Sequence, residues 1–188
     1  TLEMSDPTIG YGYSNDGIYA GKISGAGAFI KSGSGTLTLS GDNSFTGGTS
    51  ITDGTLRIGD GGTSGTIQGN IVNDAYLVFD RSDDSRFSGE ITGSGGMWKK
   101  GAGKLELTGI NSFTGQTIVE AGGAIVNGQL NNSYMFIEAG AHLGGNGSVN
   151  GFTIESGGRL APGNSVGTLT VLGDVQFDAG SFFDVEIE

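Results

Sequence analysis

A long phrase of this sequence occurs twice. Gly33–Gly54 reads GSGTLTLSGDNSFTGGTSITDG, and Gly101–Gly122 reads GAGKLELTGINSFTGQTIVEAG. Between Gly35–Gly54 and Gly103–Gly122, eleven of twenty positions are identical, and the offset is constant because no position is inserted or deleted. This period constrains the fold more than any other feature of the chain, because a structure built from such copies has to repeat as well.

The residues in and around the two copies predict short β-strands. Apolar residues recur at every second position in short runs set off by glycine-containing turns, and no window shows the spacing of an amphipathic helix. A sandwich or barrel built of hairpins needs long paired strands and no strict self-similarity. A solenoid with coils of roughly 17–25 residues repeats at multiples of its coil, and the offset between the two copies fits about three such coils. The sequence therefore predicts an all-β parallel β-solenoid of about eight or nine coils with essentially no α-helix.

The same pattern predicts how the chain is divided. We treat 1–188 as one domain, with a partial first coil at 1–20, repeat units at 21–88 and 89–128, and shorter coils at 129–188. The shorter coils are indicated by a second alignment, of IEAGAHLGGNGSV at Ile137–Val149 with IESGGRLAPGNSV at Ile154–Val166.

We interpret the repeated phrase as a structural motif that determines how the coils stack, rather than as a binding site. Its leucines and phenylalanines are expected to face the core and to stack on their counterparts in the other copy, at the ~4.8 Å spacing of neighbouring strands. Its asparagines are expected to satisfy backbone groups and to form a ladder, and its glycines to turn the corners. The positions assigned to this rule are Leu37, Leu39, Asn43, Phe45, Gly47, Gly54, Leu105, Leu107, Asn111, Phe113, Gly115 and Gly122.

Composition excludes several classes of protein. The chain has 39 glycines but only 2 prolines, which argues against collagen and most low-complexity linkers. It has no cysteine, so disulfides, thiolate metal sites and cysteine nucleophiles are excluded. The net charge of −11 and the lack of a basic cluster argue against a nucleic-acid partner. No apolar run is long enough to predict insertion of this segment into a membrane.

A row of acids follows the strands of the second half. Glu120, Glu138, Glu155 and Asp178 each occupy the second position of a recurring phrase that ends at a glycine corner, so an exposed row is expected. The acids lie about one coil apart with no basic partner in register, which leaves no obvious acid/base pair for hydrolysis. The sequence therefore predicts no catalytic residues and no enzyme.

The most charged segment of the chain lies between the two copies of the repeated phrase. It is expected to be a solvated loop, and its two arginines compete with any metal ion for the carboxylates. A nearby glycine-rich stretch, Ile58–Gly65, lacks the nine-residue period of a calcium-binding β-roll, so no metal and no cofactor is predicted. The loop is instead a candidate surface for a partner. Its candidate partner contacts are Asp80, Arg81, Asp83, Asp84 and Arg86.

Two single residues are further candidates for function. His142 is the only histidine and aligns with Arg159 at a variable position, so it is expected to be exposed and not part of a catalytic triad. Trp98 aligns with Ile30, which favours a place in the core, although an exposed indole ring here would be a contact for a ligand or partner.

These residues resemble a known family. GSGTLTLSGDNSFTGGTSITDGTLRIGD and GAGKLELTGINSFTGQTIVEAGGAIVNG are similar to the passenger-associated transport repeat of type V autotransporters, and LAPGNSVGTLTVLGDVQFDAGS is similar to the C-terminal coils of such passengers. The resemblance implies a right-handed, single-stranded parallel β-helix exported across the outer membrane to the bacterial cell surface. It also implies one partner, the passenger's own C-terminal outer-membrane β-barrel, and the absence of cysteine agrees with passage through a pore.

The function implied by the resemblance is a non-enzymatic stem. Such a stem supports secretion and folding of the passenger and displays a functional region at the cell surface. Two alternatives stay open at this point. One is an adhesin surface that binds a host protein, a glycan or a sister molecule, and the other is a β-helical enzyme acting on polysaccharides.

Overall fold

The computed structural model describes residues 1–4, 8–163 and 167–185, and all regular secondary structure in these residues is β-strand. The same residues contain no helix long and apolar enough to cross a membrane. In chain order the strands are β1 (Leu2–Met4), β2 (Ile9–Tyr11), β3 (Gly17–Tyr19), β4 (Ile23–Gly25), β5 (Phe29–Lys31), β6 (Thr36–Leu39), β7 (Ser44–Phe45), β8 (Thr49–Ile51), β9 (Thr55–Ile58), β10 (Ile71–Asn73), β11 (Tyr76–Asp80), β12 (Ser85–Phe87), β13 (Ile91–Thr92), β14 (Gly96–Lys100), β15 (Lys104–Leu107), β16 (Ile110–Asn111), β17 (Thr117–Val119), β18 (Gly123–Val126), β19 (Gln129–Leu130), β20 (Met135–Ile137), β21 (His142–Gly145), β22 (Ser148–Val149), β23 (Phe152–Ile154), β24 (Arg159–Pro162), β25 (Thr170–Val171), β26 (Val175–Phe177) and β27 (Phe182–Phe183).

The strands stack into a parallel β-solenoid with three faces. The long sheet contains nine strands in the order β26-β23-β20-β17-β14-β11-β9-β6-β3, one from each coil. The second face holds β2, β5, β8, β10 and β13 in one sheet and β16, β19, β22 and β25 in another. The first face holds β1, β4 and β7, and then β12, β15, β18, β21, β24 and β27. The predicted fold class and the predicted number of coils are confirmed.

Successive strands of the long sheet pair in parallel register. Thr38 pairs with Arg57 one coil on, and Arg57 pairs with Val78 in the next coil. The coils differ in length, since Phe152 follows its partner Met135 by the shortest step of the sheet and precedes its partner Val175 by the longest. The first coil contributes a strand to every face, since β1, β2 and β3 pair with β4, β5 and β6. The domain boundaries given above stay predictions.

The two copies of the repeated phrase lie on different faces. Leu37 belongs to the long sheet, where its register partner is Leu56, whereas Leu105 belongs to the first face, where its partners are Ser85 and Ala124. The prediction that residues stack on their counterparts in the other copy is therefore wrong.

The two copies lie on different faces because the offset between them is not a whole number of coils. The register partners of Leu37 in the next three coils are Leu56, Leu77 and Met97. The aligned residue Leu105 lies further along the chain, past a corner and on the next face. The repeated phrase therefore specifies a strand, a corner and the next strand, and its two copies begin on two different faces.

The phrase keeps its inward positions despite this rotation. Leu39, Phe45, Leu107 and Phe113 are completely shielded from solvent and belong to one continuous core. The ring of Phe45 lies 5.9 Å, centroid to centroid, from that of Phe29. Since Phe29 comes from β5 and Phe45 from β7, this ring contact crosses the core between two faces, and the expected Phe45–Phe113 stack is not formed.

The asparagine of the phrase makes the same three hydrogen bonds in both copies. Asn111 Oδ1 accepts a bond from the backbone N–H of Ile91 at 3.1 Å, and Asn111 Nδ2 donates to the carbonyl oxygens of Gly109 and Gln129, both at 3.1 Å. Asn43 bonds in the same way to the backbone of Ile23, Gly41 and Thr66. Each asparagine thus joins the coil before it to the coil after it through the backbone, and the two do not form the predicted ladder.

Two glycines of the second copy show why the corners need this residue. Gly122 has φ of +65°, and a Cβ there would lie 2.2 Å from the carbonyl oxygen of Gly103. A Cβ at Gly115 would lie 2.2 Å from the carbonyl oxygen of Gly95 in the preceding coil. At both corners the backbones of adjacent coils are too close for any side chain.

Replacing Asn111 by alanine is expected to lower the free energy of unfolding by roughly 1–3 kcal/mol, because the buried N–H of Ile91 loses its side-chain acceptor. The measurement is chemical denaturation of the purified chain. Asn132 is the matched control, since it is exposed and its side chain donates one bond to Ser112, so Asn132→Ala should change stability by less than about 0.5 kcal/mol. Equal effects of the two substitutions would contradict the assigned role.

Candidate functional site

Two lysines of the repeat lie inside the solenoid. Lys31 and Lys99 occupy the last inward position before a corner, with 0% and 1% of their surface exposed. Lys99 Nζ donates to the carbonyl oxygens of Lys100, Gly101 and Ala121, at 2.5, 2.7 and 3.2 Å. Lys31 Nζ donates to the equivalent carbonyls of its own copy. The ammonium group therefore binds backbone carbonyls at the point where the chain leaves the strand and turns the corner.

The alignment of the two copies pairs these lysines, but it did not predict that their ammonium groups are buried and bind corner carbonyls. The available signal was a lysine kept in both copies directly after an apolar strand and shortly before a glycine. Burial lowers the pKa of Lys99 to about 8, against the opposing effect of the Asp80 and Asp84 carboxylates. Burial lowers the pKa of Lys31 as well. Because both amines are enclosed, they support the corner and are not accessible to a substrate.

The charged segment between the repeat units is less solvated than expected. Asp80 is buried at the end of β11, where its carboxylate forms an ion pair with Arg57. Arg81 is anchored against the preceding coil, since its guanidinium donates to the carbonyl oxygens of Thr63 and Gly65 at 2.6 and 3.1 Å. It also bonds twice to the Asp83 carboxylate at 2.9 Å, which lowers the pKa of that carboxyl group.

The rest of this segment faces solvent. Asp84 and Arg86 are exposed. Asp84 Oδ1 accepts a hydrogen bond from the backbone N–H of Lys104 at 2.8 Å, and Arg86 lies 3.7 Å from the carboxylate of Glu106. These residues line a polar groove on the first face. The prediction of a wholly solvated loop was wrong because Asp80 and Arg81 brace the coil, and only the outer part of the segment is available to a partner.

The row of acids forms as expected, but with a cation at one end. Register places Glu120, Glu138 and Glu155 in successive coils, each partly exposed. Lys100 stands in the same row one coil earlier, with its Nζ 2.9 Å from Glu120 Oε1. The prediction that the acids of this row have no basic partner in register is therefore wrong. Burial and the neighbouring carboxylates raise the pKa of Glu138. Within the described ranges, no group of three or more acids or histidines could hold a metal ion.

His142 occupies the register position of Arg159, as the alignment indicated. It is nevertheless partly buried, because its ring lies over Gly123, where a Cβ would come within 2.2 Å of the imidazole. Burial lowers the pKa of His142, and the nearby Lys104 lowers it further. The expected exposure was wrong because glycine in the adjacent coil leaves space for the ring.

Trp98 lies on the outside of the solenoid. It is partly exposed in β14, between the inward side chains Met97 and Lys99, and its aligned residue Ile30 is also partly exposed in β5. The assignment of Trp98 to the core was wrong, since alternation along the strand sends it outward. Its ring meets that of Tyr76 in the neighbouring coil, at 5.0 Å between centroids and an interplanar angle of 62°.

The tyrosine and tryptophan rings form one wall of an open groove. The groove crosses four coils of the long sheet and has a volume of about 510 Å³. Threonines lie at its first two coils, and Arg57 and Lys100 bring positive charge to it. With aromatic faces, hydroxyl groups and ion pairs in one concave surface, this groove can bind a ligand by stacking and hydrogen bonding. Its lining residues are Thr36, Thr55, Arg57, Tyr76, Val78, Trp98 and Lys100.

Comparison with known proteins adds a family and several relatives. A family model described as the passenger-associated-transport-repeat matches residues 29–58 and 99–123. An extracellular serine protease of Serratia marcescens is 40% identical over 124 residues, covering 63% of this chain and 12% of that protein. The adhesin BmaC autotransporter of Brucella suis biovar 1 is 40% identical over 158 residues, covering 73% of this chain and 4% of that protein.

A third relative is the Neisserial autotransporter lipoprotein NalP of Neisseria meningitidis serogroup B. It is 37% identical over 97 residues, covering 49% of this chain and 9% of that protein. The chain thus spans from 4% to 12% of the length of these relatives. No solved structure matches it.

The buried lysine predicts a pH-dependent contribution to stability. Lys99 has a pKa of about 8 in the folded chain and an ordinary value of 10.5, so between these values the unfolded chain binds more protons. The stability of the wild type relative to Lys99→Met should therefore increase as the pH rises from 8 to 10.5, and this gain should be absent below pH 8.

Denaturation of both chains across this pH range measures the difference. Lys104→Met is the matched control for replacement of a lysine by methionine at an exposed position. A pH-independent difference for Lys99→Met would contradict the lowered pKa.

Proposed function

Because this chain is an autotransporter passenger segment with two passenger-associated transport repeats, we propose that it is a non-enzymatic β-helical stem. The stem supports secretion and folding of the passenger and displays a functional region at the bacterial cell surface. The observation that carries this proposal is the long sheet, which runs through all nine coils with an unbroken parallel register. At ~4.8 Å per coil, the stack extends over about 40 Å.

The named activities of the relatives support a shared supporting role. One relative is named a serine protease, another an adhesin and a third a lipoprotein, yet each matches this segment. A segment common to proteins with such different names fits a scaffold better than it fits any one of their activities. On this proposal the partners are the passenger's own C-terminal outer-membrane β-barrel and an upstream region that the stem carries.

A solenoid gains stability coil by coil, and this property supports a role in export. The strands of one coil make their closest backbone contacts with the strands of the coil before and the coil after, so stability increases one coil at a time. Each inward Leu, Ile, Val, Phe or Met contributes roughly 1.5–3 kcal/mol of burial free energy before conformational entropy is subtracted. A coil that folds outside the cell therefore resists return of the chain, and folding assists export.

Truncating Phe113 tests the link between the core and export. Phe113 is completely buried, so Phe113→Ala should lower the free energy of unfolding by roughly 3–5 kcal/mol. It should also reduce the amount of full-length passenger at the cell surface, measured by surface labelling of intact cells.

The neighbouring Ile110 is the matched control. It is 56% exposed, so Ile110→Ala should change stability by less than about 0.5 kcal/mol and leave export unchanged. If Phe113→Ala lowered stability without any effect on surface amounts, folding of the stem would not drive export.

A second candidate function is adhesion through the first face. It is favoured by the groove that Asp84 and Arg86 line, since both side chains are exposed. A host protein, a glycan or a sister molecule could be bound there. Asp80 and Arg81 are not part of this proposal, since both are engaged inside the coil, and Asp83 is paired with Arg81.

The two arginines of the segment separate adhesion from stability. Arg86→Ala is expected to reduce binding of the chain to cells, or its self-association, with the melting temperature unchanged. Arg81→Ala is the contrasting variant and should lower the melting temperature, because two carbonyl oxygens lose their donor. Cell binding and sedimentation that are unaffected by Arg86→Ala would exclude this groove as the adhesive surface.

A further inference from the structure

The outer surface of the long sheet carries a column of apolar side chains in strict register. Val78, Trp98, Ile118 and Phe136 are paired one to the next in four successive coils; Val78 is buried and the other three are partly exposed. Stacking of the coils constrains only the inward positions of these strands, so the outward positions are free to vary. A column of large apolar residues on the outside is therefore unexplained by the stem function.

Trp98 of this column forms an aromatic pair with Tyr76, which lies in the neighbouring column of outward side chains. The indole ring lies over Gly96 of its own strand, where a Cβ would be 3.3 Å from Trp98 Cζ3. In the first copy of the repeat, the equivalents of Gly96 and Trp98 are Ala28 and Ile30. The second copy thus replaces a small and an aliphatic residue by a glycine and a tryptophan, which the repeat itself does not require.

A second aromatic pair lies further along the same face. The rings of Tyr134 and Phe136 are 5.3 Å apart at 60°, and Tyr134 lies over Gly151, where a Cβ would be 3.0 Å from its ring. Tyr134 is also fixed by a hydrogen bond of 3.0 Å between its hydroxyl group and Thr153 Oγ1. The strands of Trp98 and Phe136 are two coils apart, so the two pairs are separated by roughly 10 Å along the axis.

The groups around the aromatic pairs are hydroxyls and charges. Thr36, Thr55 and Tyr76 follow one another in register and place three hydroxyl groups along the groove. On the other side, Arg57 and Lys100 are each already paired with a carboxylate. Two further acids, Glu138 and Glu155, give this side an excess of negative charge.

From this arrangement we infer that the outer face of the long sheet binds an uncharged, extended, β-linked glycan that lies along the solenoid axis. The C–H face of a sugar ring stacks on the electron-rich face of an aromatic ring. The separation of the two aromatic pairs is comparable with the repeat of two sugar units in such a glycan. The hydroxyl groups of the threonines and of Tyr76 supply hydrogen bonds to the sugar hydroxyls.

The charge of the protein and the small extent of its outward apolar surface argue against two other ligands, an acidic glycan and a protein. An acidic glycan is disfavoured by the net charge of −11, and the two cations of the groove, Arg57 and Lys100, are already paired with Asp80 and Glu120. A stable protein partner needs about 800 Å² of buried surface on each side, whereas the outward apolar side chains here form a single column. The inference goes beyond the stem function and does not depend on it, because it uses outward side chains alone.

The test uses the 188-residue chain and the fluorescence of Trp98, which is its one tryptophan. Titration with a β-1,4-linked glucose hexasaccharide should shift and saturate the emission, and the disaccharide should bind much more weakly because it reaches one aromatic pair only. Calorimetry with the same ligand should show a loss of affinity of about tenfold or more for Tyr134→Ala and for Trp98→Ala, as is typical for removal of a stacking ring. Trp98→Phe should keep most of the affinity.

Tyr13→Ala is the matched control, since Tyr13 is 67% exposed and lies outside this face. It should leave the affinity and the melting temperature unchanged, and each variant's affinity is measured well below its own melting temperature. Three outcomes would overturn the inference: no binding of neutral β-linked hexasaccharides of glucose or N-acetylglucosamine, tighter binding of polygalacturonate, or self-association that Trp98→Ala abolishes. Export of the full-length protein is measured in parallel, so failure of the stem function would be seen separately.

Discussion

Backbone pairing between successive coils is the constraint on which this structure depends. Within strands the parallel register pairs each N–H and C=O with the next coil, but at the corners the chain turns and regular pairing stops. Buried carbonyls and amides left there would cost more than most side-chain contacts contribute. The side chains of Lys99 and Asn111 form hydrogen bonds with these backbone groups. Lys31 and Asn43 form the equivalent bonds in the first copy of the phrase.

The rotation of the repeat follows from the same constraint. The phrase specifies how a strand enters a corner and how the corner is closed, and each of the three faces offers such a corner. The two copies can therefore lie on different faces while their inward residues stay buried. A consequence is that equivalent outward residues point in different directions: Ile30 is on the second face and Trp98 is on the long sheet.

Inward and outward positions consequently serve separate purposes. The inward side chains determine whether the coils stack, so they are restricted to residues that fit between the coils above and below. The outward side chains are restricted far less, and a surface such as Tyr76 with Trp98 can change without loss of the stack. This separation explains how one supporting architecture can be shared by relatives with different named activities.

The sequence by itself determined the local rule: strands of a few residues, glycine at the corners, a parallel solenoid and the family that the repeated phrase resembles. These follow from nearest neighbours along the chain and from the period of the pattern. Only the tertiary structure decided which residues meet, because the phase between the period of the phrase and the length of a coil depends on every corner in between. For the same reason the sequence could not pair Asp80 with Arg57 of the preceding coil or bring Lys100 into register with Glu120.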